Sequence, residues 1–350
     1  MGTTMKYRTL GHSGAVATSL AIGTVTFGAE ADESASHGIL DDYVEAGGNL
    51  IDTADVYSDG KSEEIIGRWL ASRPQMRGTV MLATKGRFPM GSGPNDVGSS
   101  RRYLHQALDA SLRRLGVDHI DLYQLHAWDP HTPIEESLGF LNDAITAGKI
   151  SYYGLSNFTG WQLTKAVYTA KAHGWNRPIT LQPQYNLLER EIESEIIPAV
   201  LDAGLGLLTW SPLAGGWLTG KYQRSVDPTG STRLGENPKR GFHSWELRRN
   251  NERTWDIIEI VRDIADAHGV SAAQVALAWI VDRPGITSVI LGVRTRDQLS
   301  DLLESTDVKL TEPERQRLTD ASAPVVSNYP YGPEALEQRS RQIEGGRSRR

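Results

Sequence analysis

Ionisable side chains fall at or just past the ends of short apolar runs. Asp52, Asp55 and Tyr57 lie in 50-LIDTADVY-57, Lys85 closes 79-TVMLATK-85, and His126 closes 119-HIDLYQLH-126. A tyrosine phenol has a pKa of about 10, too high for efficient proton donation near neutral pH. A neighbouring lysine ammonium favours the phenolate and is expected to lower that value. An aspartate beside the lysine keeps it charged and fixed. A histidine can hydrogen-bond the same carbonyl oxygen and orient the substrate. Asp52, Tyr57, Lys85 and His126 thus form a candidate general-acid site for a carbonyl whose carbon accepts hydride. Asp55 has no role in that chemistry, and local loop hydrogen bonding is its expected use.

These residues are distant in sequence, so the fold must gather them. Strand candidates are 19-SLAIGT-24, 49-NLIDT-53, 79–85, 119–126, 150-ISYYGLSN-157, 179-ITLQPQ-184, 206-GLLTWSP-212 and 287-TSVILGV-293. Helical patterns cover 34–47, 62–72, 99–115, 134–147, 159–174, 189–203, 250–268 and 271–283. Ser62 before Glu63-Glu64 reads as a helix start, and Gly116 and Gly148 read as helix ends. Eight strands, each separated from the next by a helix, predict an α/β fold. The count and the short loops favour a closed (β/α)8 TIM barrel over an open doubly wound sheet. Before the first strand, 5-MKYRTLGHSGAVA-17 reads as an N-terminal hairpin plugging the barrel's other end.

One barrel domain is expected over 1–350, with its core at about 5–320 and a C-terminal tail at 321–350. The strand ends turn polar in order: Gly23-Thr24, Asp52, Lys85, His126, Ser156-Asn157, Gln182, Trp210-Ser211 and Gly292. In a barrel these ends converge on one mouth. Two long loops, 85–98 and 213–249, follow strands and so lie on that same face. The second carries Lys221, Arg233, Lys239 and Arg240 among glycines and prolines, and its part 222–249, without sustained helical period, reads as a flap.

The chain has 350 residues, 39% hydrophobic and 23% charged, with net charge −6, which is ordinary for a globular protein. No dominant charged block draws it to nucleic acid or anionic lipid, and the basic 345-GGRSRR-350 end reads as solvated. With no cysteine, disulfides, thiolate metal sites and cysteine nucleophiles are excluded. The start lacks an apolar leader core, and no run approaches the roughly 18 apolar residues of a membrane span. A cytoplasmic location is expected, and a homo-oligomer stays open. The run 215-GGWLTGKY-222 imitates a phosphate-binding loop but has Tyr222 where Ser or Thr must hold Mg²⁺. No G-x-G-x-x-G follows the first strand, which argues against an open dinucleotide-binding sheet. His126 and His131 lack a third ligand at useful spacing, so no metal site is expected.

Over roughly residues 5–320 the chain resembles the aldo-keto reductases, in the branch that includes potassium-channel β-subunits and bacterial reductases. The resemblance rests on 6-KYRTLGHSG-14, 23-GTVTFG-28, 52-DTADVY-57, 62-SEEIIG-67, 84-TK-85, 120-IDLYQLH-126, 154-GLSNF-158, 182-QPQYNLLER-190 and 210-WSPLAGGWLTGKY-222. It implies Tyr57 as general acid, Lys85 and Asp52 as its tuning pair, and His126 as the fourth member. A two-electron reduction without a cysteine pair or evident metal needs a bound hydride donor. The resemblance implies a nicotinamide dinucleotide across the mouth, near Gly23, Thr24 and Asp52. Ser156, Asn157 and Gln182 would hold its carboxamide, with Trp210 along the ring. Ser211, Pro212, Leu213, Gly215, Lys221 and Arg233 would meet the pyrophosphate. Gly292, Arg294 and Gln298 in 292-GVRTRDQLSDLL-303 would meet the adenosine end.

The chain departs from the family's usual Glu-Asn pair, reading Asp301-Leu302, which puts an adenine contact in doubt. Arg294 and Arg296 suit a 2′-phosphate, so NADPH/NADP⁺ is the expected cofactor. Trp128, with Tyr57 and His126, is the candidate substrate pocket. The expected substrate is a small carbonyl compound, an aldehyde or ketone; a narrower version is a keto-sugar or related polyhydroxylated compound. A redox-sensing, cofactor-binding subunit is the alternative.

Overall fold

Runs of Leu, Ile, Val and Ala pair side by side in chain order, and the last closes on the first. The computed structural model describes residues 5–230, 232–237, 244–326 and 328–332. An antiparallel hairpin, β1 (Tyr7–Thr9) and β2 (Val16–Thr18), precedes the barrel. The parallel barrel strands are β3 (Leu20–Gly23), β4 (Leu50–Asp52), β5 (Met81–Gly86), β6 (Ile120–Leu125), β7 (Ile150–Ser156), β8 (Thr180–Gln182), β9 (Gly206–Thr209) and β10 (Ile286–Gly292). Strand β10 pairs with both β9 and β3, closing the ring. The fold is the (β/α)8 barrel with an N-terminal hairpin that the alternation predicts. Strand β8 stops short of its apolar run because Pro183 cannot donate to a ladder, and β9 gives way where Ser211 turns to φ +54°. A lone Gln184–Trp210 bridge carries the pairing to the mouth.

The helices between strands are α1 (Glu33–Glu45), α2 (Lys61–Ser72), α3 (Arg101–Leu115), α4 (Ile134–Thr146), α5 (Gly160–Ala172) and α6 (Ile196–Ala203). Beyond β9 come two short helices, α7 (Arg233–Glu236) and α8 (Trp245–Arg248), then α9 (Glu252–His268) and α10 (Ala272–Val281). After β10 follow α11 (Arg296–Leu303) and α12 (Glu312–Ala321). Caps fix several starts: Asp32, Ser100 and Ser271 each accept a bond from the backbone N–H three residues on. The single helix expected over 189–203 is instead a 3₁₀ turn at Glu191–Glu193 followed by α6. Proline is tolerated only in a helix's first turn, so Pro198 sets the start of α6. The flap's Pro238, Lys239, Arg240 and Gly241, and the tail from 333 onward, lie outside the described residues.

Strand alternation builds two apolar layers. Ala21, Leu50, Ala83, Leu122, Leu208 and Ile290 fill the barrel's interior, while neighbours such as Ile22, Ile51 and Leu82 face the helices. The hairpin adds Leu10 and Ala17 to the interior set. Its turn rests on the ring's lower rim at Gly11, whose φ is +54°. A Cβ there would come within 2.2 Å of the Ile179 carbonyl. The hairpin therefore closes the base, as expected. Among the described residues, no single helix is long and apolar enough to cross a membrane.

Candidate active site

The two-residue period that fills the interior also builds the mouth. One step up each strand leads from Ala21 to Gly23, Leu50 to Asp52, Ala83 to Lys85, Leu122 to Gln124, Leu208 to Trp210 and Ile290 to Gly292. A second step on β6 reaches His126. The same alternation on β7 and β8 turns Ser156 and Gln182 inward. Side chains from six strands, with the bare backbone of Gly23 and Gly292 on the other two, thus border one opening.

At its centre Lys85 Nζ donates to Asp52 Oδ2 at 2.6 Å, to the Thr53 carbonyl at 2.8 Å and to the Tyr57 hydroxyl at 3.3 Å. Lys85 is fully buried, and Asp52 nearly so. The second Asp52 oxygen accepts from Gln182 Nε2 at 2.8 Å and Gln124 Nε2 at 3.3 Å. The carboxylate is therefore held from three strands. Tyr57 opens a tight turn in which Ser58 and Asp59 have φ of +51° and +54°, and Ser58 Oγ anchors it to the Phe27 carbonyl at 2.8 Å. The His126 ring lies edge-on to Tyr57, with centroids 5.9 Å apart.

Burial, the largest influence, raises the Tyr57 phenol above its ordinary value; the Lys85 charge opposes this and Asp52 adds to it. The expected lowering by lysine is present, but desolvation wins. Burial also disfavours the Lys85 ammonium, yet Asp52 and Tyr57 together hold it above the usual lysine value. His126 is held well below the usual histidine value by burial, then by the charges of Lys85 and Arg87. Its Nδ1 is buried without a hydrogen-bond partner. Asp55 is fully buried, and neither carboxylate oxygen makes a hydrogen bond of full geometry; the Val56 backbone N–H of its own loop favours the charge, a weak form of the loop bonding expected. Burial, then the Glu63 charge, raises the carboxyl to about 7.

The other predicted residues border this centre. The Thr24 hydroxyl bonds the Asp52 carbonyl at 3.1 Å. Ser156 Oγ donates to the Gln182 carbonyl at 2.8 Å. Asn157, at φ +56°, donates to the His126 carbonyl at 3.0 Å and accepts from Trp210 Nε1 at 3.1 Å. That pair of bonds fixes the indole at the rim. Left-handed backbone recurs at Ser211, Ala214, Gly215 and Gly216, around Pro212 and Leu213.

Lys221 faces Arg294 and Arg233; burial, then these two charges, depresses its ammonium. Arg294 pairs with Glu236 at 3.3 Å, and its backbone N–H donates to Gln298 Oε1 at 2.9 Å. Arg296 is instead held bidentately by Asp42 of α1. Asp301 accepts from Ser271 and Gln274, and Leu302 is buried, so the departing pair serves packing of α11 on α10. Trp128 packs edge-on against Phe158 and Trp161, at 5.4 and 5.3 Å.

A model of the Aldo/keto reductase family matches residues 19–323. The Bacillus subtilis (strain 168) protein named "Uncharacterized oxidoreductase YrpG" is 37% identical over 324 residues, spanning 90% of this chain and 95% of that protein. The chain belongs to the aldo/keto reductase family. The rice (Oryza sativa subsp. japonica) protein named "Probable voltage-gated potassium channel subunit beta" is 37% identical over 306 residues, 87% of this chain and 92% of its own. Versiconal hemiacetal acetate reductase of Aspergillus parasiticus is 35% identical over 356 residues, 95% and 98% of the two chains. In this aldo/keto reductase, sequence reasoning singled out neither Gln124, Arg87 nor Phe88. The signal for Gln124 was present: it stands two residues before His126, a polar residue on the inward parity of an otherwise apolar strand. Family membership sets the chain among oxidoreductases.

Proposed function

We propose that this protein is an NADPH-dependent reductase of aldehydes or ketones, with Tyr57 as general acid. One observation carries the reading: the Lys85 ammonium bonds both Asp52 and the Tyr57 hydroxyl. The mouth fits a dinucleotide by the chemistry of its donors. Lys221, Arg233 and Arg294 gather positive charge beside a loop with left-handed backbone at Ser211 and at 214–216. A pyrophosphate would relieve the repulsion among those cations. Ser211, Pro212, Leu213 and Gly215 would line it, with Gly292, Arg294 and Gln298 at the adenosine end. Ser156, Asn157 and Gln182 would hold the carboxamide, and Trp210, Gly23 and Thr24 would border the ring. Bound there, the dinucleotide would supply the hydride and its electron pair.

The chain's residues manage the proton. His126 is neutral at physiological pH, so it can offer an N–H to the carbonyl oxygen without adding a second charge beside Lys85. The raised phenol keeps Tyr57 protonated in the resting site. As the carbonyl carbon accepts hydride, Tyr57 passes its proton to the oxygen, and the phenolate left behind faces the Lys85 ammonium. Asp52, gripped by Gln124 and Gln182, holds that ammonium in place.

Tyr57→Phe removes the donor and keeps the ring. Turnover should fall by about 10²–10⁴-fold while NADPH titration by fluorescence is unchanged. A mutant with near-full turnover would remove Tyr57 from the mechanism. We read the substrate body from half-buried Trp128 and exposed Trp161, backed by buried Phe158, which favour a planar ring; the keto-sugar version is the comparison in the same assay. The rice relative's name keeps a redox-sensing subunit as the second reading. Multiple turnovers on a panel of aldehydes, ketones and sugars would exclude it. Slow single oxidation of bound cofactor with every substrate would support it.

A further inference from the structure

The residue that follows β5 departs from ordinary backbone geometry. Arg87 has φ of +138°, a conformation that side chains with a Cβ rarely adopt. Such strain persists where the surroundings over-determine it, and it clusters at working sites. The Arg87 carbonyl accepts from Gly98 N–H at 2.9 Å, and one terminal nitrogen donates to the Trp128 carbonyl at 3.2 Å. The guanidinium lies 5.2 Å from the Phe88 ring centre, and Phe88 packs 4.5 Å from the His126 ring. Its Nε is buried and makes no hydrogen bond. Among the described residues, no carboxylate comes within 4.0 Å of the guanidinium. A half-buried arginine bonded to one neutral acceptor, with the Asp129 charge felt from beyond ion-pair distance, keeps donors to spare, and its planar fork suits an oxyanion. On its other flank stands the aromatic wall of Trp128, Phe158 and Trp161, with Trp161 58% exposed.

We infer that Arg87 is a specificity residue that pairs with an anionic group on the substrate, and that preferred substrates are aryl aldehydes or ketones carrying a carboxylate. The inference rests on the reductase reading above. With the carbonyl oxygen between Tyr57 and His126, the aryl ring would lie against Phe88 and Trp128. Its carboxylate would then meet the guanidinium, in line with the Arg87 charge felt at His126.

The test uses the full chain with NADPH and two aldehydes of similar shape, 4-carboxybenzaldehyde and 4-methylbenzaldehyde. The wild-type protein should have the higher kcat/KM for the carboxylated one. In Arg87→Met the ratio of the two kcat/KM values should fall by about 10–100-fold, as expected for losing a charge-assisted hydrogen bond. Arg87→Lys should restore part of that ratio. If Arg87→Met does not fold, Arg87→Gly suits the +138° backbone and reads the same ratio. Equal falls on both aldehydes would make Arg87 a prop for its loop and overturn the inference, as would a wild-type ratio near one. No turnover on these or any other carbonyl would sink the reductase reading itself, and this inference with it.

Discussion

Asp55 stands between Thr53 and Tyr57 in sequence, yet its carboxylate turns away from solvent and makes no hydrogen bond of full geometry, with the Val56 N–H of its own loop favouring the charge. Glu63 of α2 faces it and raises it further, while Arg114 of α3 and Lys85 of β5 oppose the rise; Tyr103 and Tyr123 face it as well. A value of about 7 in the fold, against about 3.9 in an unfolded chain, means that the folded state binds this proton more tightly. Stability from the group is full below about pH 4 and is lost as pH rises through about 7, in total roughly 4 kcal/mol. Urea unfolding of the wild type should therefore lose roughly 2–3 kcal/mol relative to Asp55→Asn between pH 5 and pH 8. Parallel curves would mean that Asp55 does not titrate there. The four residues gathered at Lys85 were legible because each ends or follows an apolar run. Asp55 and Arg87 were not, since orphaned burial and a positive φ leave no mark in residue types. Arg87 read only as one residue of the loop at 85–98.

The segment after β9 is held at both ends by aromatic packing. Trp217 and Trp245 stack at 5.2 Å, and Trp255 and Tyr222 close around them. Between these anchors α7 brings Glu236 to Arg294. A phosphate at Arg294 would compete with that carboxylate, so the segment should rearrange and tighten when cofactor binds. Hydrogen exchange and protease nicking across 222–249 should drop sharply on adding NADPH, and identical protection with and without it would reject the clasp. Strands and most helices were legible from periodicity, because burial on one or both faces dictates it. Helix α12 carried an unheeded signal in Thr311, Pro313 and Glu314, a capping box with proline in the first turn. The short α7 carried one N-cap, Thr232, which accepts from the Gly235 N–H at 3.0 Å, but neither it nor α8 has a sustained period, and packing of Leu234 and Trp245 into the core sets them.

Ligand binding to the folded chain alone raises the stability of the whole molecule, by about 2.7 kcal/mol at a hundred times Kd. Arg296 is bound bidentately by Asp42 away from Lys221, whereas Arg294, paired with Glu236, faces Lys221 at the mouth. The melting midpoint should therefore rise more with NADPH than with an equal concentration of NADH, and Arg294→Ala should narrow the gap. Equal midpoints for both cofactors, unchanged in the mutant, would reject the 2′-phosphate assignment. The interior layer beneath the mouth sets a further limit. Ala21 and Ala83 lie fully buried, one pleat below Gly23 and Lys85. They act as the clearance gauge of the machine above them. An added methylene there has no void to enter, so the displacement would travel up the strand to the ammonium. A shift of about 1 Å is enough to lose on the order of 100-fold in rate. The calibration of the chemistry thus resides in side chains that never meet the reactants.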